Sequence, residues 1–211
     1  PFKEDKHLGK GTSGTVSKVI NVLSSKSFAR KLFSLGTESS KAHQSEMEKV
    51  VAEIQHLQRL AGACHIVQLH GSYLRGTKVA ILLQPVAEKD LEGYLLDFAP
   101  ASTQSKKAKK KVLYRLFGCL CITLQKIHGG KLRHKDIKPA NILIHGTNVL
   151  FTDFGSAIKF GDGGRGTTVS EDPKGHSPMY AAPEVWKKEA RDVISDVFSL
   201  GCVFLEVITV L

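Results

Sequence analysis

Apolar residues recur along the chain at two different spacings, which predict helices and strands in turn. From Gln44 to Leu60 they follow steps of three and four, which is typical of an amphipathic helix. Glu53 lies at the edge of this apolar stripe, where a carboxylate needs a cation as neighbour unless it is simply exposed. The stripe consists of Met47, Val50, Val51, Ile54 and Leu57.

Short apolar runs between turn-forming residues predict strands before and after this helix. The last two runs lie close enough in the sequence to form a hairpin. Gln84-Pro85-Val86-Ala87 interrupts the pattern, and we interpret it as a hinge between two lobes. The predicted strands are residues 16–22, 67–73, 79–83, 142–144 and 149–151.

The second half of the chain shows helical spacing in two places. One helix follows a Lys-rich segment at residues 102–111. The other runs from Val197 to Leu211 with few strongly polar residues, so it is apolar on all sides and expected in a core. We expect it to be too short for a membrane span, which Glu206 also disfavours. The apolar residues of the first helix are Val112, Leu113, Leu116, Phe117, Leu120 and Leu124.

Composition places the chain among soluble globular proteins, because 42% of its residues are hydrophobic and only 7 are proline. The 4 cysteines show no Cys-x-x-Cys spacing. Cys119, Cys121 and Cys202 sit inside apolar runs, which predicts buried reduced thiols and not disulfides or zinc ligands. With no visible signal peptide, this favours an intracellular location, cytoplasmic or nuclear.

The chain is basic, with 30 Lys and Arg against 20 Asp and Glu and a net charge of +10. Such a charge could serve nucleic acid, an acidic surface or a polyanionic ligand such as a nucleotide, or it could be a merely basic surface. The lysines of residues 102–111 could bind nucleic acid or a nuclear import receptor, or only begin a solvated helix. Because no aromatic residue is interleaved to stack bases, we do not expect a nucleic-acid partner.

The densest group of chemically active side chains lies between His134 and Asn141. Asp136, Lys138 and Asn141 place a carboxylate, an ammonium group and a carboxamide on mostly non-helical backbone. The predicted hairpin would bring Asn141 beside Asp153, and the two side chains offer the hard oxygen ligands that Mg²⁺ prefers. Asp136 and Lys138 remain to handle a hydroxyl and a phosphate group. The pattern indicates phosphoryl transfer.

A glycine-rich loop precedes these residues in the sequence. Residues 9–16 have the spacing Gly-x-Gly-x-x-Gly-x-Val, which dinucleotide-binding folds share when the loop opens a helix. Here a strand follows, so we expect the loop to join two antiparallel strands. Its uncovered backbone amides could then lie over phosphate groups. Lys31 is the candidate cation for Glu53.

These motifs together resemble those of the eukaryotic protein kinases. His134-Lys135-Asp136 is similar to the family's His-Arg-Asp motif, with lysine in place of arginine. Asp153-Phe154-Gly155 matches its Asp-Phe-Gly motif, and Phe28-Ala29-Arg30-Lys31 is similar to the strand that carries its phosphate-binding lysine.

The resemblance extends to the end of the chain. Residues 176–184, which end in Ala-Pro-Glu, are similar to the family's peptide-docking segment. Ser177 and Lys138-Pro139 are typical of its Ser/Thr kinases. Asp196 opens a segment similar to the start of the central helix of the large lobe, where the family's acid braces the catalytic-loop backbone.

The resemblance implies an α+β, protein-kinase-like fold with two lobes. Residues 1–83 would form a small antiparallel β lobe with one helix, residues 84–88 the hinge, and residues 89–211 a mainly helical large lobe that stops before the family's later helices. The implied function is a Ser/Thr protein kinase that transfers the ATP γ-phosphate to protein hydroxyls. The alternatives are a nucleotide-binding pseudokinase or scaffold fragment without transfer activity, and a basic nucleic-acid or nuclear adaptor.

The resemblance also implies roles for individual residues, with ATP and Mg²⁺ as cofactors. Asp136 would orient the acceptor hydroxyl and take its proton, while Lys138 neutralises charge on the γ-phosphoryl group. Lys31, paired with Glu53, would contact the phosphates. Asn141 and Asp153 would hold Mg²⁺.

The nucleotide-binding residues implied in the same way lie in both predicted lobes. Leu83 would be the gatekeeper, the backbone of Gln84 and Val86 would hold the adenine, and Asp90 could reach the ribose. Asp90 could equally be the N-cap of a short helix. The whole set is Gly9, Lys10, Gly11, Thr12, Ser13, Gly14, Val16, Ala29, Lys31, Leu83, Gln84, Val86, Asp90 and Leu143.

Residues 156–181 predict a long loop, which in the kinases is the activation segment. Thr167, Thr168 and Ser170 are candidate phosphorylation sites. Lys135 stands where the family's phosphate-receiving arginine stands, and lysine supplies the charge without the bidentate fork. This substitution argues against control by phosphorylation.

One face of the final helix would lie uncovered because the family's later helices are absent from this chain. Each large apolar side chain left in water forfeits about 1.5 to 3 kcal/mol. We therefore expect a fragment or a shortened gene product, with a partner covering the face between Val203 and Leu211. The other expected partner is a protein substrate with a Ser or Thr acceptor, and no membrane partner is expected. The face comprises Val203, Phe204, Val207, Ile208 and Leu211.

Overall fold

The structure is a computed structural model, and it divides the chain into two compact units. The first comprises Pro1–Gly62 and Val67–Val86, and the second comprises Ala63–Ile66 and Ala87–Leu211. The residues that the structure describes are 2–11, 14–36, 41–98, 100–161 and 177–211.

The first unit is a five-stranded antiparallel sheet with one long helix. The strands lie in the order β1-β2-β3-β5-β4, so the last two exchange places relative to the sequence. The predicted small β lobe with one helix is confirmed. Its elements are β1 Phe2–Gly11, β2 Gly14–Asn21, β3 Ser27–Ser34, α1 Lys41–Arg59, β4 Gln68–Arg75 and β5 Lys78–Gln84.

The core of this unit lies between α1 and one face of the sheet. Val50 from the helix is buried with Phe33 and Ile81 from the strands. The expectation that Val51 belongs to the apolar stripe is wrong, because this side chain is 42% exposed. Consecutive residues of a helix point about 100° apart, so Val51 cannot face the sheet together with Val50.

The second unit is mainly helical, and with the first it confirms the predicted α+β class. It contains a sheet in the order β6-β8-β9 and a two-stranded sheet of β10 and β7. Strands β8 and β9 form the predicted hairpin. The elements are β6 Lys89–Asp90, α2 Leu91–Leu96, α3 Thr103–Gly129, β7 Leu132–Arg133, β8 Ile142–His145, β9 Asn148–Phe151, β10 Ile158–Lys159, α4 Pro183–Trp186 and α5 Val193–Val210.

Helix α3 has one buried face and one exposed face. Leu116 and Leu120 are fully buried, whereas Tyr114 and Ile122 are 62% and 57% exposed. The expectation of buried cysteines is wrong for Cys121, which is exposed, and Cys119 and Cys202 are only partly buried. The helical period explains this, since Cys121 is turned about 100° away from its buried neighbour Leu120 and lies outside the buried face. All four thiols are free.

Helix α5 is not covered on all sides, contrary to the expectation from its composition. Leu200, Val203 and Val207 are buried, while Leu205 and Ile208 are 65% and 58% exposed. Val203 and Val207, which we expected to lie uncovered, are 0% exposed. An apolar sequence contains no polar face that would indicate which side is buried.

Part of the face that we expected to need a partner is covered by α3 of the same chain. The ring of Phe204 packs on that of Phe117 with centroids 4.7 Å apart. At the end of α5, Lys110 Nζ donates to the carbonyl of Leu211 at 2.7 Å. Helix α3 therefore contacts the second half of α5 and its C-terminal end.

The expectation that α5 is too short for a membrane span is also wrong. The helix begins at Val193, and its 18 residues are long and apolar enough to cross a membrane by length and composition. Core helices of soluble proteins meet the same criterion. In this unit, α5 carries the buried Asp196 and packs its Val203 and Val207 into protein.

The two faces of α3 predict different responses to truncation. Leu116→Ala removes a side chain that is 0% exposed, and we expect the free energy of unfolding to fall by about 2 to 5 kcal/mol. Ile122→Ala on the opposite face should change it by less than about 0.5 kcal/mol. Urea denaturation measures both, and equal losses would contradict the buried face assigned to α3.

Candidate active site

The glycine-rich segment joins β1 to β2 as an antiparallel pair, with Gly11 opposite Gly14. The prediction that it opens no helix is confirmed. A Cβ atom at Gly14 would lie 2.3 Å from the carbonyl oxygen of Leu32, so no side chain fits where β2 passes β3. Thr12 and Ser13, which we assigned to nucleotide binding, lie outside the described residues.

Four residues predicted to contact the nucleotide share one face of the first unit's sheet. Val16 lies opposite Lys31, and Ala29 lies opposite Leu83. Directly opposed residues of antiparallel strands point to the same side, as do residues two apart on one strand. The register therefore places Val16, Ala29, Lys31 and Leu83 together on the side that carries α1.

Lys31 and Glu53 form the buried ion pair that the sequence predicts. The Nζ atom of Lys31 lies 2.8 Å from Oε1 and 3.0 Å from Oε2 of Glu53. Their side chains are only 5% and 2% exposed, so the alternative of an exposed Glu53 is wrong. The Phe33 ring centroid lies 5.1 Å from the ammonium nitrogen. The lysine is thereby held in one position on the sheet.

In the second unit, Asp136 lies at the centre of a small polar cluster. Its Oδ2 atom accepts from Asn141 Nδ2 at 2.9 Å and lies 2.8 Å from Lys138 Nζ. Asn141 Nδ2 also donates to the backbone carbonyl of Asp136 at 2.8 Å, across the turn Pro139–Asn141. The carboxylate is only 8% exposed, and the cluster fixes its orientation.

Ser177 joins this cluster from a distant part of the sequence. Lys138 Nζ donates to Ser177 Oγ at 2.9 Å, and Ser177 Oγ donates to Asp136 Oδ1 at 3.4 Å. A carboxylate, an ammonium group and a hydroxyl therefore lie within hydrogen-bond distance of one another. This arrangement can accept a proton at the carboxylate and oppose negative charge at the ammonium group.

Asp196 from α5 holds the backbone that precedes Asp136. Its Oδ2 accepts from the amide of His134 at 2.8 Å and its Oδ1 from the amide of Lys135 at 2.9 Å. Lys135 has φ of 68°, a left-handed conformation that lysine seldom adopts without such support. The predicted bracing of the catalytic loop by this acid is confirmed.

His128 at the end of α3 is the third partner of Asp196, with Nε2 3.0 Å from Oδ2. Burial by itself raises the pKa of Asp196. The hydrogen bond from His128, the charge of His134 and the two backbone amides lower the pKa, and together they outweigh burial. The net effect is a pKa below the ordinary value. The buried group therefore stays a carboxylate, which the two amides require.

The hairpin brings Asn141 beside the segment that contains Asp153, since the amide of Thr152 donates to the carbonyl of Asn141 at 3.0 Å. Both hydrogen bonds of the Asn141 carboxamide use Nδ2, which leaves Oδ1 as an oxygen ligand. The backbone of Asp153 adopts the left-handed conformation, with φ of 60° and ψ of 70°. The donor set fits Mg²⁺, which keeps several ligands from water or phosphate. In the described ranges no three His, Cys, Asp or Glu side chains form a metal cluster.

Asp90 is the N-cap of α2, as one of the two interpretations proposed. Its Oδ1 accepts from the amide of Gly93 at 2.8 Å. Asp90 also lies opposite Leu143 in the pair of β6 and β8, so these two residues are neighbours. Gln84 and Val86 lie at the end of the first unit, and Gln84 Nε2 donates to the carbonyl of Ser27 at 3.2 Å.

The predicted loop over residues 156–181 is interrupted by β10, which pairs with β7 next to His134. Thr167, Thr168 and Ser170 lie outside the described residues.

Two contacts near the site had no signal in the sequence. His128 lies 68 residues from Asp196, and no local pattern distinguishes it from other histidines. Tyr180 Oη donates to Glu206 Oε2 at 2.8 Å, and burial together with this bond raises the pKa of the phenol. Tyr180 lies next to the Ala-Pro-Glu segment, which the contact ties to α5.

The buried ion pair of the first unit predicts a large loss when its cation is removed. Lys31→Met leaves the carboxylate of Glu53 buried without this partner, and we expect the free energy of unfolding to fall by about 3 to 5 kcal/mol. The double variant Lys31→Met/Glu53→Leu should recover part of the loss, because no buried charge remains. Lys49→Met breaks an exposed pair with Glu46 and should have little effect. Denaturation curves measure all three, and no recovery in the double variant would contradict this account.

Asp196→Asn should lower the free energy of unfolding by about 2 to 3 kcal/mol at pH 7, because an amide cannot accept from both backbone amides. The native pKa of Asp196 lies below its ordinary value, so its carboxylate stabilises the fold above about pH 4 and this contribution is lost as the pH falls further. The difference between wild type and variant should therefore shrink as the pH falls below about 4. Denaturation at a series of pH values tests this, and a difference that still grows below about pH 4 would contradict it.

Comparison with known proteins agrees with this geometry. The sequence model of the protein kinase domain matches residues 2–210. Serine/threonine-protein kinase KIC1 of Saccharomyces cerevisiae is 30% identical over 210 residues, which are 99% of this chain and 18% of that protein. Serine/threonine-protein kinases PknB of Mycobacterium tuberculosis and Mycobacterium bovis are each 41% identical over 90 residues, covering 42% of this chain and 14% of those proteins.

The chain thus spans less than a fifth of the length of these relatives. The family match nevertheless covers both units, from the glycine-rich segment to α5. The chain belongs to the protein kinase domain family.

Proposed function

We propose that this chain transfers the γ-phosphate of ATP to serine or threonine hydroxyls of protein substrates. The observation that carries the proposal is the cluster of Asp136, Lys138 and Asn141, in which a fixed carboxylate lies beside an ammonium group. Protein kinases act on proteins and generally use ATP and Mg²⁺.

The roles of the two oxygens of Asp136 follow from their partners. Oδ2 is held by Asn141 and Lys138, which leaves Oδ1 directed towards a hydroxyl, as it is towards Ser177. We assign to Oδ1 the orientation of the acceptor hydroxyl and the removal of its proton. Lys138 would oppose the negative charge that develops at the transferred group. These contributions are positioning and electrostatic stabilisation.

Bound Mg-ATP would supply the phosphoryl group and neutralise part of its charge. In the second unit, Asn141 and Asp153 are the residues that would hold the metal. In the first unit, Lys31 would contact the phosphates, and its pair with Glu53 fixes its ammonium group. Val16, Ala29 and Leu83 share the face of the sheet on which Lys31 lies, which supports their assignment to the nucleotide.

Ser177 supports the choice of serine and threonine as acceptors. It stands in the sequence position that is typical of Ser/Thr kinases, and its hydroxyl contacts Lys138. The relatives are themselves serine/threonine-protein kinases by name. Neither the comparisons nor the geometry favour the alternative of a nucleotide-binding module without transfer activity.

Asp136→Asn tests the proposal directly. Without the carboxylate the acceptor proton has no base, and we expect turnover with a Ser-containing peptide to fall by at least about two orders of magnitude. Asp97→Asn changes an exposed acid that pairs with Lys89 and should retain activity. Transfer of labelled phosphate from ATP measures both, and undiminished turnover in Asp136→Asn would refute the assignment.

A thermal melt with Mg-ATP separates binding from transfer in the same variant. Ligand at a hundred times its dissociation constant adds about 2.7 kcal/mol to the free energy of unfolding. Asp136→Asn should keep the resulting rise in Tm, because its side chain is not assigned to the nucleotide. If Asp136→Asn lost the nucleotide-induced rise in Tm in addition to turnover, the substitution would have damaged the fold. The transfer assay would then be repeated with Asp136→Glu.

A further inference from the structure

The first turns of α3 carry a cluster of cations that the proposed reaction does not use. The structure divides this cluster into an inward and an outward group. Its members are Lys106, Lys107, Lys109, Lys110, Lys111 and Arg115.

The inward lysines have structural roles in the second unit. Lys106 Nζ lies 5.9 Å from the ring centroid of Phe98, and Lys109 Nζ lies 4.9 Å from that of Tyr94. Lys110 donates to the carbonyl of Leu211. Side-chain contacts inside the unit therefore account for these three residues.

The outward group consists of Lys107, Lys111 and Arg115, which we call the basic stripe. Residues four apart lie above one another on a helix, so the three cations form a line of about 12 Å with about 6 Å between neighbours. All three are exposed, and within the described part of the chain none has a carboxylate partner.

The basic stripe lines an open groove of about 700 Å³. Tyr114, which is 62% exposed, and Thr147 from the turn between β8 and β9 complete its walls. Further along the same face the helix continues with Gly118 and with Ile122, which is 57% exposed. The surface is therefore basic at one end and apolar at the other.

The stability of α3 gives no reason for this line of cations. Like charges four residues apart on a helix repel one another. The first turn also contains no acid, although the helix dipole favours anions there. The buried face of α3, with Leu116 and Leu120, stabilises the helix in spite of this repulsion. An anionic ligand would relieve it.

We propose that the basic stripe docks a short acidic segment of the protein substrate, two or three carboxylates followed by a large apolar residue. Carboxylates four apart on a helical peptide repeat at about the same 6 Å as the stripe. The apolar residue would lie on Ile122. A nucleic-acid strand would continue past Arg115 onto this uncharged surface, so the peptide fits the face better. That the docked peptide belongs to a substrate rests on the proposed kinase function, whereas the docking of an acidic peptide does not.

Fluorescence anisotropy with a labelled peptide of glutamates and one leucine tests the docking. The matched probes are the same peptide with glutamine for glutamate and a single-stranded oligonucleotide of equal charge. Lys107→Glu/Lys111→Glu/Arg115→Glu should weaken binding of the acidic peptide about tenfold or more, since three exposed charge pairs are lost and three repulsions replace them. The control Lys26→Glu/Lys78→Glu/Lys187→Glu changes three exposed lysines elsewhere, carries the same net charge and should bind as wild type does.

Charge exchange makes the test specific. The reversed stripe should bind a peptide with lysines at the glutamate positions, whereas wild type should not. Equal weakening in both triple variants would show a general charge effect, and tighter binding of the oligonucleotide would show a nucleic-acid surface. Either result, or no binding of the acidic peptide to wild type, overturns the proposal.

Kinetics distinguish this proposal from the kinase function on which it builds. A Ser peptide linked to the acidic segment should have a KM about tenfold lower than the Ser peptide alone, with kcat unchanged, and the stripe variant should lose only this advantage. Absence of transfer to either peptide, with acidic-peptide binding intact, would refute the kinase function and leave the docking surface. Transfer to both peptides with equal KM would overturn the docking of substrates.

Discussion

The carboxylate of Asp196 is the constraint on which the catalytic geometry of the second unit depends. It accepts two backbone amides from the loop that precedes Asp136 and a third hydrogen bond from His128. Three chain segments, the end of α3, the loop and the start of α5, meet at one buried charge. Because these bonds compensate the cost of burial, the charge persists and the loop keeps a left-handed residue at Lys135.

Buried charges with defined partners occur at two of the positions to which we assign a chemical role. Lys31 is held by Glu53 in the first unit, and Asp136 is held by Lys138 and Asn141 in the second. A buried pair is a weak source of stability, since desolvation offsets much of its attraction. Its value here is orientation, because each charge has one arrangement in which its partners are satisfied.

Helix α3 has a buried face that packs inside the second unit and an exposed face that is basic and apolar. Its buried face packs on α5 and β9, and its last turn supplies His128 to the catalytic loop. Its opposite face carries the basic stripe and Ile122. Because the helix has 3.6 residues per turn, the side chains that pack inside the unit and those that form the basic stripe lie on different sides. The same period explains why Cys121 and Val51, each next to a buried residue, are exposed.

The sequence by itself determined the elements and the chemistry: the amphipathic α1, the strand after the glycine-rich segment, the hairpin of β8 and β9, and the group from His134 to Asn141. These are local patterns, in which spacing along a few residues reports the backbone conformation. The pair of Lys31 and Glu53 could also be predicted, since a carboxylate in an apolar stripe needs a cation. Only the tertiary structure decided which side of α5 is buried, that His128 reaches Asp196, and which lysines of α3 have partners. Those outcomes depend on contacts between residues far apart in the chain, and a uniformly apolar or uniformly basic segment contains no local signal that selects among them.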